Sequence, residues 1–336
     1  MNAPVNFIRL WLLTGIVMIC TMVILGGITR LTGSGLSIVE WKPVTGIVPP
    51  LNQKDWLSEF EQYQQFPEYK KLNYGMSLQQ FKQLYLWEYL HRMIGRLIGI
   101  IFIVPFVIFY FKGWISKKMT GSLLVIFLLG GLQGFMGWYM VKSGLDKVPH
   151  VSHFRLAAHQ GLALLLVASL FWMMLSMNHQ KKETTGKSST LLVATCLTLT
   201  LLIIQITLGA FVAGLKAGYS YTNFPLMGET FFPSANLITS EPLFYNGVVL
   251  QFIHRWFAFV VVLSLGALLY VARPYQEMHN QTKWLIALVI LQITLGIITL
   301  LMHVPIVLGV AHQFVAIVIL LLLVKILYDQ VYVYRP

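Results

Sequence analysis

The chain has 336 residues, of which 57% are hydrophobic and only 11% charged, and its mean hydropathy is +0.71. That leaves too little polar surface to close a water-soluble globule, so soluble enzymes and soluble binding modules are excluded and a polytopic membrane protein is expected. The formal net charge of +12 invites a nucleic-acid reading. However, the basic residues collect in short connections between apolar runs, as the positive-inside rule expects, so the partner is the lipid bilayer and not nucleic acid.

Eight apolar runs follow in chain order: 7–28, 85–111, 120–141, 154–177, 191–212, 248–272, 284–302 and 304–328. Each is near the ~20 residues a spanning helix needs, and lipid leaves backbone groups no partner outside a helix, so an all-α membrane fold is predicted. The opening MNAPVNFIRLWLL lacks a small-residue cleavage site and is read as a retained helix. Lys112, Lys117 and Lys118 follow the second run, and Lys181, Lys182 and Lys187 the fourth. Arg273 and Lys283 follow the sixth, and Lys325 and Arg335 close the chain. An inside N-terminus puts all of these, and both termini, in the cytoplasm.

The first outer connection, 30–84, mixes Trp41, Trp56, Phe60, Tyr63, Phe66 and Tyr69 with charges of both signs. Its SLQQ, Ser77 to Gln80, has capping-box spacing and starts a helix running into the second span. A short helical cap is expected there, against the alternative of a solvated loop. Cys20 and Cys196 lie in the first and fifth runs with no CxxC, so neither a disulfide framework nor a zinc site is indicated, and both read as small buried hydrophobes.

Of nine histidines, His150, His153, His179, His279 and His303 fall in connections or at helix ends. His91, His159, His254 and His312 instead lie early in the second, fourth, sixth and eighth runs, which enter the membrane from one face, so the four share one depth. A repeat reinforces the pattern. YLHRMIGR answers FIHRWFAF, LAAHQGLALLL answers GVAHQFVAIVIL, and the odd helices echo as LQGFMG, IQITLG and LQITLG. LGGITRLTGSGLS before the second run answers LGAFVAGLKAGYS before the sixth. The repeating unit is four helices, so the halves, 1–180 and 181–336, are parallel repeats with the same orientation, each a four-helix bundle owning one HR and one HQ histidine.

Two imidazoles at one level of a four-helix bundle suit a low-spin haem iron, which needs two nitrogen donors across an apolar slot. Zinc competes, but two histidines per half lack a catalytic site's third protein ligand. A hydrogen-bonded core histidine is the plain structural alternative. Arg92 and Arg255 follow the HR histidines, Arg96 lies one turn beyond Arg92, and Arg155 sits one turn before His159. Guanidinium forks match haem propionates, with snorkelling to the headgroups as the alternative.

Glu88 lies three residues before His91, on the same helical face, whereas the position three before His254 is Gln251. A carboxyl beside only one haem position suggests chemistry there, as base, nucleophile or stabiliser of positive charge. The alternative is an i,i+4 ion pair with Arg92.

At these residues the chain resembles the haem A synthase family, which oxidises haem O to haem A for terminal oxidases. The resemblance rests on HR, HQ, HR, HQ on alternate helices with EYLHR in the first half. It covers essentially the whole chain, and the outer segments RLTGSGLSIVEWKPVTGIVPP and AGLKAGYSYTNFPLMGETFFP resemble the mitochondrial and proteobacterial branch. It implies that His91 and His159 hold the substrate haem (haem O, then haem A), with Arg92, Arg96 and Arg155 beside it. It implies that His254 and His312, with Arg255, hold a haem b cofactor, and that the C8 methyl is oxidised to formyl with Glu88 as the catalytic carboxylate. Implied partners are haem O, an unidentified electron donor or acceptor, and haem O synthase or oxidase assembly factors. The implied location is the bacterial inner membrane with the large first loop periplasmic. Members with cysteine pairs in outer loops are not matched here. A haem-b electron-transfer subunit and a haem carrier or transporter are the competing functions.

Overall fold

The computed structural model describes residues 3–42, 45–146, 148–177 and 188–332, and among them there are helices, turns and one isolated bridge but no strand. His179, Lys181, Lys182, Lys187 and Arg335 lie outside the described residues. Eight helices are long and apolar enough to span a membrane: α1 (Ala3–Leu31), α4 (Leu78–Phe111), α5 (Lys117–Lys142), α6 (His153–Ser176), α7 (Ser189–Gly214), α9 (Gly247–Ala272), α10 (Gln276–Leu301) and α11 (Ile306–Tyr332). The short α2 (Gln53–Gln64), α3 (Pro67–Lys71) and α8 (Ala235–Ile238) belong to the connections.

Large apolar side chains such as Leu128 and Leu263 are 70% and 74% exposed, as lipid-facing positions require. The bounds of α10 and α11 depart from their apolar runs for local reasons. α10 begins at Gln276 because the polar HNQTK segment is helical too, and α11 begins only at Ile306 because His303 and Val304 both adopt left-handed backbone ahead of Pro305. Cys196 is exposed on α7 and Cys20 half-buried, so the expected burial does not hold for Cys196.

The chain divides into two compact units, Met1–Val167 and Ala168–Pro336, the division falling inside α6. In the first, α1 packs on α4 and α4 on α5. Pro105 lies inside α4 and has no N–H for the carbonyl of Ile101, and the Trp11 indole of α1 donates to that carbonyl at 2.9 Å. A helix-breaking residue is thus accommodated because the neighbouring helix satisfies the freed group. In the second unit α7, α9, α10 and α11 close a ring, each packing on the next and α11 returning to α7.

The first outer segment is an ordered cap. Ser77 and Gln80 form the expected capping box, and α4 starts at Leu78, ahead of its apolar run. That overhang lets Phe81 and Tyr85 join Ile38, Phe60 and Tyr63 in a buried cluster, flanked by Trp56 and Tyr69. Tyr63, wholly buried, donates to Glu68 at 3.1 Å and accepts from Asn73 at 2.7 Å. Burial, reinforced by the Glu68 charge, pushes its phenol well above the usual range.

Candidate functional site

Each of the four span histidines faces a glycine of the preceding spanning helix. A Cβ on Gly137 of α5 would lie 3.0 Å from Cε1 of His159, one on Gly209 of α7 3.0 Å from Cε1 of His254, and one on Gly296 of α10 2.8 Å from Cε1 of His312. Gly26 of α1 is looser, its Cβ position lying 3.5 Å from Nε2 of His91. At three of these positions a Cβ would press on the imidazole, so glycine leaves the ring room against the preceding spanning helix. His91 and His159 lie in the first unit near enough to interact electrostatically, as do His254 and His312 in the second.

Four residues before three of those glycines stands a glutamine. Gln292 Nε2 lies 3.3 Å from His312 Nε2, and the Gln292 carbonyl lies 3.0 Å from His312 Nδ1. A carbonyl only accepts, so this contact suits the tautomer with the proton on Nδ1, whose Nε2 accepts from the Gln292 amide. Gln133 Nε2 approaches His159 Nε2 at 3.5 Å, while Gln205 donates to the His254 backbone carbonyl at 2.9 Å. Neutral imidazoles set against glycines in apolar helices are donors of the kind a haem iron takes. Among the described residues no group of three or more His, Cys, Asp or Glu converges, as a zinc centre would need.

Beside His91, one face of α4 binds the strap that follows α1. Arg92 donates to the carbonyls of Ile38 at 2.8 Å and Glu40 at 3.2 Å and pairs with Glu88 at 2.7 Å, its guanidinium lying over the Trp41 ring. Arg96 donates to the Lys42 carbonyl at 2.9 Å, and Tyr89 to that of Ile47 at 2.7 Å. Glu88 is 4% exposed, and its second oxygen accepts from the Ile38 amide at 2.9 Å and the Ser37 hydroxyl at 2.7 Å. A cavity of about 450 Å³ opens beside the strap, lined in part by Glu40, Lys42, Glu59, Tyr89, Arg92 and Arg96. Lys42 pairs there with Glu40 at 2.6 Å and Glu59 at 3.4 Å, and the Glu40 contact raises its ammonium against the opposing pull of burial.

The second unit repeats the frame with different chemistry. Arg255 donates to the carbonyls of Tyr221 at 2.7 Å, Asn223 at 3.0 Å and Leu226 at 3.3 Å, and Gln251 also donates to Tyr221, at 2.9 Å. Arg155 caps the Tyr139 carbonyl at 2.7 Å and lies over that ring.

A family model described as "Cytochrome oxidase assembly protein" matches residues 9–324. The chain belongs to this family. It is 44% identical over 326 residues to a Heme A synthase of Rickettsia prowazekii (strain Madrid E), covering 95% of this chain and 96% of that one. It is 46% identical over 324 residues to a Heme A synthase of Rhodospirillum centenum (strain ATCC 51521 / SW), with 94% and 86% covered. It is 45% identical over 318 residues to a Heme A synthase of Wolbachia pipientis wMel, with 91% and 87% covered.

The structure thus brings together Glu88, His91, Arg92, Arg96 and the cap in the first unit, and His254 with Arg255 in the second. Sequence reasoning did not find Ser37, the strap carbonyls or the roles of Gln133, Gln205 and Gln292. The echoed LQGFMG, IQITLG and LQITLG hold the glutamine and glycine at fixed spacing and carry the signal. Backbone carbonyls leave none.

Proposed function

We propose that this membrane protein is a haem A synthase, an oxidoreductase that converts haem O to haem A by oxidising the C8 methyl to a formyl group. Membership of the family and its Heme A synthase relatives support the activity. The observation that carries the site assignment is the asymmetry between the two HR helices, where a buried carboxylate, Glu88, stands at one and a neutral amide, Gln251, at the other. The substrate haem is assigned to His91 and His159, with Glu88 beside it, and a resident haem b to His254 and His312. When bound, haem b would supply one-electron transfer.

The chain's own residues then divide the work. His91 and His159 would hold the macrocycle, Glu88 would take a proton released as the methyl is oxidised, and Arg92 is the ion-pair partner of that carboxylate at 2.7 Å. Arg96 and Arg155, with Arg92, are assigned to the substrate's anionic propionates and Arg255 to the cofactor's, an assignment that requires them to share the donors they now give to backbone carbonyls. We read the halves as repeats of one four-helix unit in the bacterial inner membrane, with both termini cytoplasmic and the cap periplasmic. Haem O synthase and oxidase assembly factors are the expected partners, with an electron donor or acceptor of unassigned identity.

Pigment extraction from protein purified after expression with a haem O source tests this reading. Formylated haem is expected beside haem B, whereas haem B alone would make the chain an electron-transfer subunit.

A further inference from the structure

The carboxylate of Glu88 has about four lone-pair sites, and three donors reach it. Arg92 takes one on Oε1, while the Ile38 amide and the Ser37 hydroxyl take two on Oε2. Ser37 is 1% exposed, and its Oγ lies between two acceptors, Glu88 Oε2 at 2.7 Å and the Ser34 carbonyl at 2.9 Å; its single proton goes to the charged and nearer carboxylate. Among the described residues one lone pair of Oε1 stays open.

The second unit supplies an internal control. The echoed segments LGGITRLTGSGLS and LGAFVAGLKAGYS end on Ser37 and Ser220. The next residues, Ile38 and Tyr221, offer their carbonyls to Arg92 and Arg255 at 2.8 and 2.7 Å, and Glu40 and Asn223 do so at 3.2 and 3.0 Å. The backbone frame is the same, yet Ser220 is exposed and Gln251 Oε1 has no hydrogen-bond partner among the described residues. The serine turns inward only where a carboxylate faces it.

We propose that Ser37 is a positioning residue for the reaction. Its hydroxyl, together with the Ile38 amide, pins Oε2 of Glu88 so that the open lone pair of Oε1 is the one presented to the substrate. Arg92 alone would leave the carboxylate free to rotate about its terminal torsion, which is soft for glutamate. The strap that follows α1 therefore acts as part of the reacting site and not only as its cover. This rests on the reading of Glu88 as the carboxylate of the haem O oxidation.

The test compares Ser37→Ala, Ser37→Thr and Ser220→Ala in full-length, haem-containing protein, each alone and with Glu88→Gln. Ser37→Ala is expected to lower kcat by about ten- to a hundredfold, the range of a hydrogen bond to a charged group, with the KM for haem O retained. Ser37→Thr restores most of it and Ser220→Ala changes nothing. Added to Glu88→Gln, Ser37→Ala brings no further loss. Independently of turnover, infrared difference spectra on protein with 13C-labelled glutamate should show a carboxylate stretch that shifts in Ser37→Ala, stays in place in Ser220→Ala and is absent in Glu88→Gln. An unshifted band, or a kcat loss that persists in the Glu88→Gln background, overturns the proposal. Wild-type turnover in Glu88→Gln alone overturns the underlying reading of Glu88, and is recognised separately because the infrared shift would survive it.

Discussion

Arg92 holds Glu88 at 2.7 Å, one helical turn away, while the same guanidinium spans the carbonyls of Ile38 and Glu40. A charge pair buried at 13% and 5% side-chain exposure is thereby tied to the strap after α1. Removing the arginine leaves the carboxylate charged in a site with little water.

Arg92→Ala is therefore expected to destabilise the protein by about 3–5 kcal/mol, since Glu88 would stay buried without its cation. Arg92→Lys should recover only part, because a single ammonium cannot replace a fork that meets three acceptors at once. Thermal unfolding in detergent, followed through haem absorbance, measures both.

The glycines give a graded series. Gly296→Ala puts a Cβ 2.8 Å from the His312 ring and must displace it, at a cost of about 1–3 kcal/mol for overpacking. Gly26→Ala meets His91 only at 3.5 Å, ordinary contact. Haem content per polypeptide should fall in the first variant and hold in the second. Equal loss in both would remove the cradle argument.

Much of this was legible in the sequence because apolar periodicity and buried charge are both expensive features that leave strong marks. The spans, the four histidines, the capping box at Ser77 and the Glu88–Gln251 contrast all came from side-chain identity and spacing. The strap was not legible. Arg92, Arg96, Tyr89 and Arg255 all spend donors on backbone carbonyls, which every residue possesses, so the sequence could suggest anions for the arginines but not these partners. Ser37 was hidden for a related reason, since its echo Ser220 carries the same side chain and only the fold turns one inward. The start of α11 was displaced by left-handed backbone at His303 and Val304, a conformation that β-branched residues rarely adopt.

The cap offers a pH prediction. The Tyr63 phenol is raised by burial and by Glu68, so it stabilises the cap fully below the ordinary phenol range of about 10. That contribution is lost only as pH climbs through the higher folded value. Trp56 sits against Phe81 and Tyr85, and its fluorescence should stay native from neutral pH up to about 10. Tyr63→Phe should cost about 1–3 kcal/mol by removing the hydrogen bonds to Glu68 and from Asn73. Proteolysis of the cap that rises already near pH 8 in the wild type would contradict this.

The two histidine pairs should separate by pigment. Replacing His254 or His312 with alanine is expected to deplete haem B, while replacing His91 or His159 should chiefly remove haem O and haem A. Extracted haems, quantified against polypeptide for all four variants, decide the matter, and uniform loss of every haem type would contradict the division.

The most direct test is the haem composition of Glu88→Gln. Glutamine keeps the length and can still meet the strap, as Gln251 meets Tyr221 at 2.9 Å in the second unit, so the protein should insert and keep its bound-haem spectrum. Loss of the carboxylate should lower haem A formation by about a hundredfold or more, within the range of acid–base catalysis, and haem O or a hydroxylated intermediate should accumulate. Haem A at near wild-type levels in that variant would reduce Glu88 to a partner for Arg92 and contradict the account.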